Sequence, residues 1–271
     1  MSEIRLKLHP RQSLAFLSKA TEILYGGAAG GGKSHLMRVV AIMLCMAVAG
    51  LQVYIFRRVS DDLRKNHLEG SSGLRAMLAS LTDSGHCKFN DSKGIFEFWN
   101  GSKIYLCHCQ HEKDMYKYQG AEIHVLLMDE LTLFTESIYR FLRGRVRLGG
   151  LNVPSEYKHK LPLVLCGSNP GNIGHGWVKK MFVDYAPPME ITRTPAAEGG
   201  MLRQYIPAKL ADNPTLTEND PDYESRLEGL GNPALVAAMK NGDWDIIDGA
   251  YFSEFERSRH VLKPFTIPAH W

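Results

Sequence analysis

Residues 23–34 read Ile23-Leu24-Tyr25-Gly26-Gly27-Ala28-Ala29-Gly30-Gly31-Gly32-Lys33-Ser34. Gly27, Gly32, Lys33 and Ser34 fill the fixed positions of G-x-x-x-x-G-K-[ST], the phosphate-binding loop. In such a loop successive backbone N–H groups point inward and cradle phosphate oxygens. A Cβ inside that bend crowds the phosphates, and here every residue from 26 to 32 is Gly or Ala. The short apolar run before the loop predicts a strand. The run 35–48 after it, with Leu36, Val39, Val40, Met43, Leu44 and Ala47 on one stripe, predicts a helix whose N-terminus favours anions. A glycine-rich linker would lack both flanks. The loop assigns Gly27, Ala28, Ala29, Gly30, Gly31, Gly32, Lys33, Ser34 and the adjoining His35 to a nucleotide, with Lys33 on the β- and γ-phosphates and Ser34 on Mg2+.

Outward from the loop, strands and helices alternate. Residues 50–56 and 123–128 predict buried strands, as do residues 161–166. Residues 61–81 read as two amphipathic helical pieces broken near 70–73, and 136–147 as another helix. Runs 87–90, 95–99 and 103–107, separated by Asp91-Ser92-Lys93-Gly94 and the hairpin dipeptide Asn100-Gly101, predict an antiparallel excursion at a sheet edge. The fold class is α/β, with a mostly parallel central sheet flanked by helices. Ligands in such sheets bind beyond the carboxyl ends of the strands. The loop, Arg57-Arg58, Asp129-Glu130 and Ser168-Asn169 all fall at predicted strand ends. Residues 1–210 read as the nucleotide-binding core. From 211 the chain turns to Asp212-Asn213-Pro214, Asn219-Asp220-Pro221, short helices over 222–230 and 233–241, and an extended tail.

Asp129, closing an apolar strand, sits where a carboxylate holds Mg2+, and Glu130 directly after it is placed to take a proton from an attacking water. Such a pair favours hydrolysis over phosphoryl transfer to another acceptor. Ser168 and Asn169 are candidate γ-phosphate sensors or, alternatively, plain turn residues. Gln12 is an adenine-edge ligand or an ordinary surface glutamine. Arg57, Arg58, Arg64 and Arg143 are candidates for an arginine acting on the γ-phosphate, with a nucleic-acid grip or a solvated basic face as the alternatives.

Hydrophobic content of 44% and charged content of 23% suit a soluble globular chain, and no apolar run reaches the ~20 residues that span a bilayer. No membrane association is expected. The N-terminus lacks a signal-peptide pattern. Five cysteines without disulfide spacing point to a reducing compartment. Cys107 and Cys109 alternate on one strand, which is not zinc spacing. A net charge of +3 does not by itself announce a nucleic-acid binder.

Taken together, the chain resembles the ATPase domain of the large terminase subunit, the DNA-packaging motor of tailed double-stranded-DNA phages. The residues that carry the resemblance span nearly the whole chain. They are Gln12 in His9-Pro10-Arg11-Gln12, the loop, Phe56-Arg57-Arg58 with Leu63-Arg64, and Tyr118-Gln119-Gly120 ahead of Asp129-Glu130. Gly167-Ser168-Asn169-Pro170, Asp212-Asn213-Pro214 and Gly242-Asp243-Trp244 complete them. The resemblance implies a P-loop NTPase of the additional-strand, catalytic-glutamate type, with 211–271 as a small linker subdomain leading towards an absent nuclease domain. It implies ATP and Mg2+ as ligands and translocation of double-stranded DNA into a preformed capsid. It further implies a ring of subunits docked on the portal protein in the host cell cytoplasm, recruited to DNA by a small terminase subunit, with the isolated domain monomeric. No nuclease activity is expected from this chain. Family members often carry an arginine near Tyr118-Gln119-Gly120, where this chain has Lys117. The rival readings are a superfamily-2-type helicase fragment, and a switch that binds nucleotide without hydrolysing it.

Overall fold

A computed structural model describes residue 4, residues 6–231 and 233–245, and residue 261. Of the 211–271 appendage, residues 246–260 and 262–271, including most of the predicted tail, lie outside the described residues.

Nine strands form one sheet. They are β1 (Glu22–Gly27), β2 (Gln52–Arg57), β3 (Cys87–Asn90), β4 (Ile95–Phe98), β5 (Lys103–His108), β6 (Val125–Asp129), β7 (Leu163–Ser168), β8 (Thr192–Arg193) and β9 (Leu202–Ala208). Their order is β3-β4-β5-β2-β6-β7-β1-β9-β8. The six strands from β5 to β9 in that order run parallel; β4 at one edge and β8 at the other run against them, and β3 pairs antiparallel with β4. The expected P-loop α/β class is the observed one.

Helix α1 (Pro10–Leu17) and helix α2 (Lys33–Ala47) lie on one face; the helix Glu136–Arg143 and the segment 175–183 cover the other. This double cover explains the continuous apolar strands. In β6, Val125 and Leu127 pack towards α2, whereas Leu126 and Met128 pack towards Tyr139 and Leu142. Cys107 and Cys109 are buried together in that second layer. Among the described residues, no helix is long and apolar enough to cross a membrane.

Besides shifts of one or two residues at strand and helix ends, two elements differ from the sequence reading. The helix beginning at Glu136 ends at Arg143 rather than 147, because the chain turns at Gly144 and pairs back on Ile123 through Arg145 and Arg147. The segment 202–208, not predicted as a strand, is β9, lying directly beside β1.

At the amino end of β1, buried Glu22 receives Arg203 Nε at 2.7 Å, Arg143 Nη1 at 2.7 Å and the Tyr139 hydroxyl at 2.6 Å. Burial alone would raise the Glu22 carboxyl, but Arg203, Tyr139 and Arg143 outweigh it and hold the carboxyl below its ordinary value. A depressed folded pKa contributes stability that is present above the unfolded pKa and is lost as pH falls through the folded one. Glu22→Gln strands two guanidinium groups beside a neutral amide. It is expected to cost about 3–5 kcal/mol in urea unfolding at neutral pH, with the difference from the natural chain shrinking at acid pH. A cost below about 1 kcal/mol at neutral pH, where measurement of single mutants still resolves it, would show that the cluster is not braced by charge.

Candidate nucleotide-binding site

The loop between β1 and α2 is shaped by side chains that hold its carbonyls outward. Asn213 Nδ2 donates to Gly30 O at 2.7 Å, the Tyr25 hydroxyl to Gly31 O at 3.1 Å, and Gln12 Nε2 to Gly32 O at 2.9 Å. With those carbonyls turned away, the amides of the bend face inward, and the first N–H groups of α2 have no acceptor within the helix. Gly32 has φ +74°, and a Cβ there would meet Gln12 Nε2 at 2.4 Å, so both backbone and space demand glycine. Two loop amides are already engaged: Ala28 N–H donates to Ala208 O at 3.0 Å and Ala29 N–H to Met239 O at 2.6 Å. The inward donors are therefore those from Gly30 to Ser34, a narrower set than the motif names. Met239 and Asn213 belong to the 211–245 segment, which thus packs directly on the loop.

Gln12 is 1% exposed, so it is no surface glutamine. Its Oε1 accepts the His9 N–H at 2.8 Å while its amide braces Gly32. It borders a mainly apolar cavity of about 450 Å³ shared with His9, His35, Asn213 and Leu216. His35 donates from Nε2 to Lys7 O at 2.9 Å and lines the same cavity.

Lys33 Nζ donates to Ala28 O at 2.7 Å and to Asn169 Oδ1 at 2.5 Å. Burial lowers its pKa against the opposing pull of Glu130 and Asp129. Asp129, fully buried, takes three donors on Oδ2: Ser34 Oγ, Arg57 Nε and His67 Nε2, each at 2.9 Å. Burial would raise this carboxyl; the hydrogen bonds from His67 and Ser34 and the Arg57 guanidinium hold it below its ordinary value. Its other oxygen, Oδ1, is buried without a partner. An ionised carboxylate with one unsatisfied oxygen beside a serine hydroxyl is the hard, all-oxygen donor set that suits Mg2+. The residues present therefore fit that ion.

Glu130 adopts φ +55°, ψ +56°. In an extended strand, consecutive side chains point to opposite faces. The left-handed turn cancels that alternation, so the carboxylates of Asp129 and Glu130 are both reached by Arg57, whose Nη2 lies 3.5 Å from Glu130 Oε1. A non-glycine residue held in that conformation stores strain of the kind found at functional sites. Burial and the Asp129 charge raise the Glu130 pKa, with Lys33 and Arg57 pulling the other way. Lys33, Ser34, Arg57, Glu130 and Asn169 all line one cavity of about 350 Å³ beyond the carboxyl ends of β1, β2, β6 and β7.

These positions coincide with a match over residues 24–259 to the family model described as terminase large subunit, T4likevirus-type, N-terminal. The chain belongs to the large terminase family. Among solved structures, this terminase chain is similar to the large terminase of a thermophilic bacteriophage in complex with ATP-gamma-S, at 14% identity and TM-score 0.61, over 97% of this chain and 59% of that one. It is similar also to the Thermus phage P74-26 large terminase ATPase domain, at 14% identity and TM-score 0.57, over 88% and 94% of the two chains. The HK97 bacteriophage large terminase matches at 14% identity and TM-score 0.53, over 87% and 50%. At these identities the likeness is one of fold. In another crystal form of the thermophilic-bacteriophage protein, the chain spans about half of that protein's length, 54%. No curated protein matches it in sequence.

Within this terminase chain the other predicted residues separate. Ser168 is 0% exposed and turned away from the cavity. Its Oγ accepts the Thr132 N–H at 3.0 Å and lies 2.9 Å from Thr132 Oγ1. The strand period explains this: Gly167 and Asn169 face Lys33, and Ser168 faces the opposite layer. Ser168 thus stands in the place of the alternative reading, a turn residue: it pins the turn 131–133 that follows Glu130. Of the four candidate arginines, Arg57 alone lines the cavity of its own chain. Arg58 Nη1 donates to Leu133 O at 3.0 Å, and Arg64 pairs with Asp91 at 3.0 Å. Arg143 is spent on Glu22 at the far end of β1 and its side chain is 10% exposed, so it has no free guanidinium to offer a neighbour.

Sequence reasoning missed His67. It lies fully buried in the π-helical turn Arg64–Leu68, with Nε2 donating to Asp129 and Nδ1 without a partner. Burial lowers its pKa, with the hydrogen bond and charge of Asp129 pulling the other way. It is one of the three donors gathered on Asp129 Oδ2, while Oδ1 has no partner.

Proposed function

We propose that this chain is the ATP-hydrolysing motor domain that powers translocation of viral double-stranded DNA into a preformed capsid. The observation that carries the reading is the convergence, in one cavity, of the glycine-rich bend, Lys33, Ser34 and a Glu130 bent to the same side, with buried Asp129 bonded to Ser34 directly behind and one of its oxygens unpartnered. Family membership and the ATP-gamma-S bound by the thermophilic-bacteriophage relative support the nucleotide class.

The amides from Gly30 to Ser34 and the Lys33 ammonium hold the β- and γ-phosphates. Gln12 borders the space for the base. Ser34 and Asp129 would hold Mg2+, which when bound would offset negative charge on the phosphates. Glu130 accepts a proton from water as the water oxygen bonds to the γ-phosphorus and the bond to ADP breaks. Its raised pKa makes it a better base than an ordinary carboxylate. Arg57 lies in its own chain's site and is the cation best placed to meet charge on the γ-phosphate. Asn169, bonded to Lys33, senses that phosphate. DNA, the portal protein and a small terminase subunit are the partners, with the chain acting as a ring subunit in the host cytoplasm.

The test is phosphate release by the purified chain with ATP, with and without Mg2+, at rising protein concentration and with duplex DNA added. Mg2+-dependent release that steepens with concentration is expected. A complete lack of release at high concentration with DNA present would favour a nucleotide-binding switch instead.

A further inference from the structure

Arg38 stands on α2 one turn past Ser34. It is 4% exposed. Nη1 donates to the Asn66 carbonyl at 2.6 Å, and its buried Nε has no partner. Among the described residues it forms no ion pair with any carboxylate. A guanidinium carries five N–H donors and stays charged, so this side chain is short of both hydrogen bonds and counter-charge. An uncompensated buried cation is costly, and the cost falls when an anion is delivered to it. Burial lowers its pKa, with Asp129 only a partial offset.

Its position says which anion. Arg38 lines both the phosphate cavity of about 350 Å³ and the adjoining cavity of about 450 Å³ beside Gln12, and Gly32, His35 and Asn213 line both as well. A nucleotide with its terminal phosphates on the loop and its base beside Gln12 crosses this seam at the α-phosphate, or at the ribose just beyond it. The ribose is neutral, whereas the side chain lacks an anion.

We infer that Arg38 is a binding residue for the α-phosphate of a nucleoside di- or triphosphate, reading a nucleotide as distinct from a bare pyrophosphate. The planar guanidinium offers two parallel N–H groups, the geometry that phosphate oxygens accept best. This inference rests on the nucleotide reading of the site given above.

Calorimetric titration of the natural chain, Arg38→Gln and Arg38→Lys with ATP, ADP and inorganic pyrophosphate, all with Mg2+, tests it. Thermal unfolding without ligand reports whether each variant folds. Loss of one charge-assisted contact should weaken ATP and ADP binding about 10–100-fold in Arg38→Gln. Pyrophosphate, seated on the loop alone, should bind as before, and Arg38→Lys should recover part of the loss. Equal weakening of ATP and pyrophosphate would mean that Arg38 merely shapes the loop, and would overturn the inference. So would unchanged ATP binding in Arg38→Gln by a chain whose natural form binds ATP. A natural chain that binds neither ATP nor pyrophosphate would overturn the nucleotide reading along with it.

Discussion

Glu130→Gln is expected to bind ATP as tightly as the natural chain and to release phosphate ~10²–10⁴-fold more slowly, the range associated with a positioned general base. The amide keeps the size of the carboxylate and its place in the left-handed turn after β6. It removes only the ability to take a proton. Because burial and Asp129 raise the Glu130 pKa, turnover by the natural chain should climb with pH through a value above that of an ordinary glutamate. The variant should lose that rise. Phosphate release measured across pH beside equilibrium ATP binding checks both parts, and near-natural hydrolysis by the variant would remove Glu130 from the role of base.

Lys33→Ala should lose both properties. Its ammonium bridges the loop carbonyl of Ala28 and the Asn169 amide, so it fixes the loop while facing the cavity. Removing a preorganised cation aimed at developing charge costs ~10²–10³ in rate. Unlike Glu130→Gln, this variant should also bind ATP more weakly, since Lys33 meets the phosphates before and during reaction. Binding as tight as that of the natural chain would place Lys33 off the phosphates.

Much of this was legible in the residues. The loop declared itself because no other chemistry asks for seven consecutive small residues before Lys-Ser. The strand ends declared themselves because a doubly covered sheet needs unbroken apolar strands, and polar residues begin where those stop. What stayed hidden was hidden by polarity or by turns. In β9, the polar Arg203 and Gln204 break the apolar pattern that marks a buried strand, yet they are buried on Glu22 and on Ser18 and Met189. His67 sits in a stretch that looks like an ordinary amphipathic helix, and only the tertiary fold brings it to Asp129. The separate fates of Ser168 and Asn169 turn on the strand period, which fixes their relative faces but not which one looks at Lys33. Arg143 lies in a basic stretch whose charge suggested an exposed face, while its side chain serves a buried carboxylate 121 positions away. The positive φ of Glu130 left no trace in composition at all.

The central claim is that one chain's amide-lined bend and two bent-together carboxylates act on the same triphosphate. A crystal structure of the chain grown with Mg2+ and ADP–aluminium fluoride tests it most directly. The account predicts the β-phosphate on the amides of Gly30 to Ser34, the metal against Ser34 and Asp129 Oδ1, and a water held by Glu130 in line with the fluoride. A nucleotide seated elsewhere, or a Glu130 carboxylate turned away from that water, would contradict it.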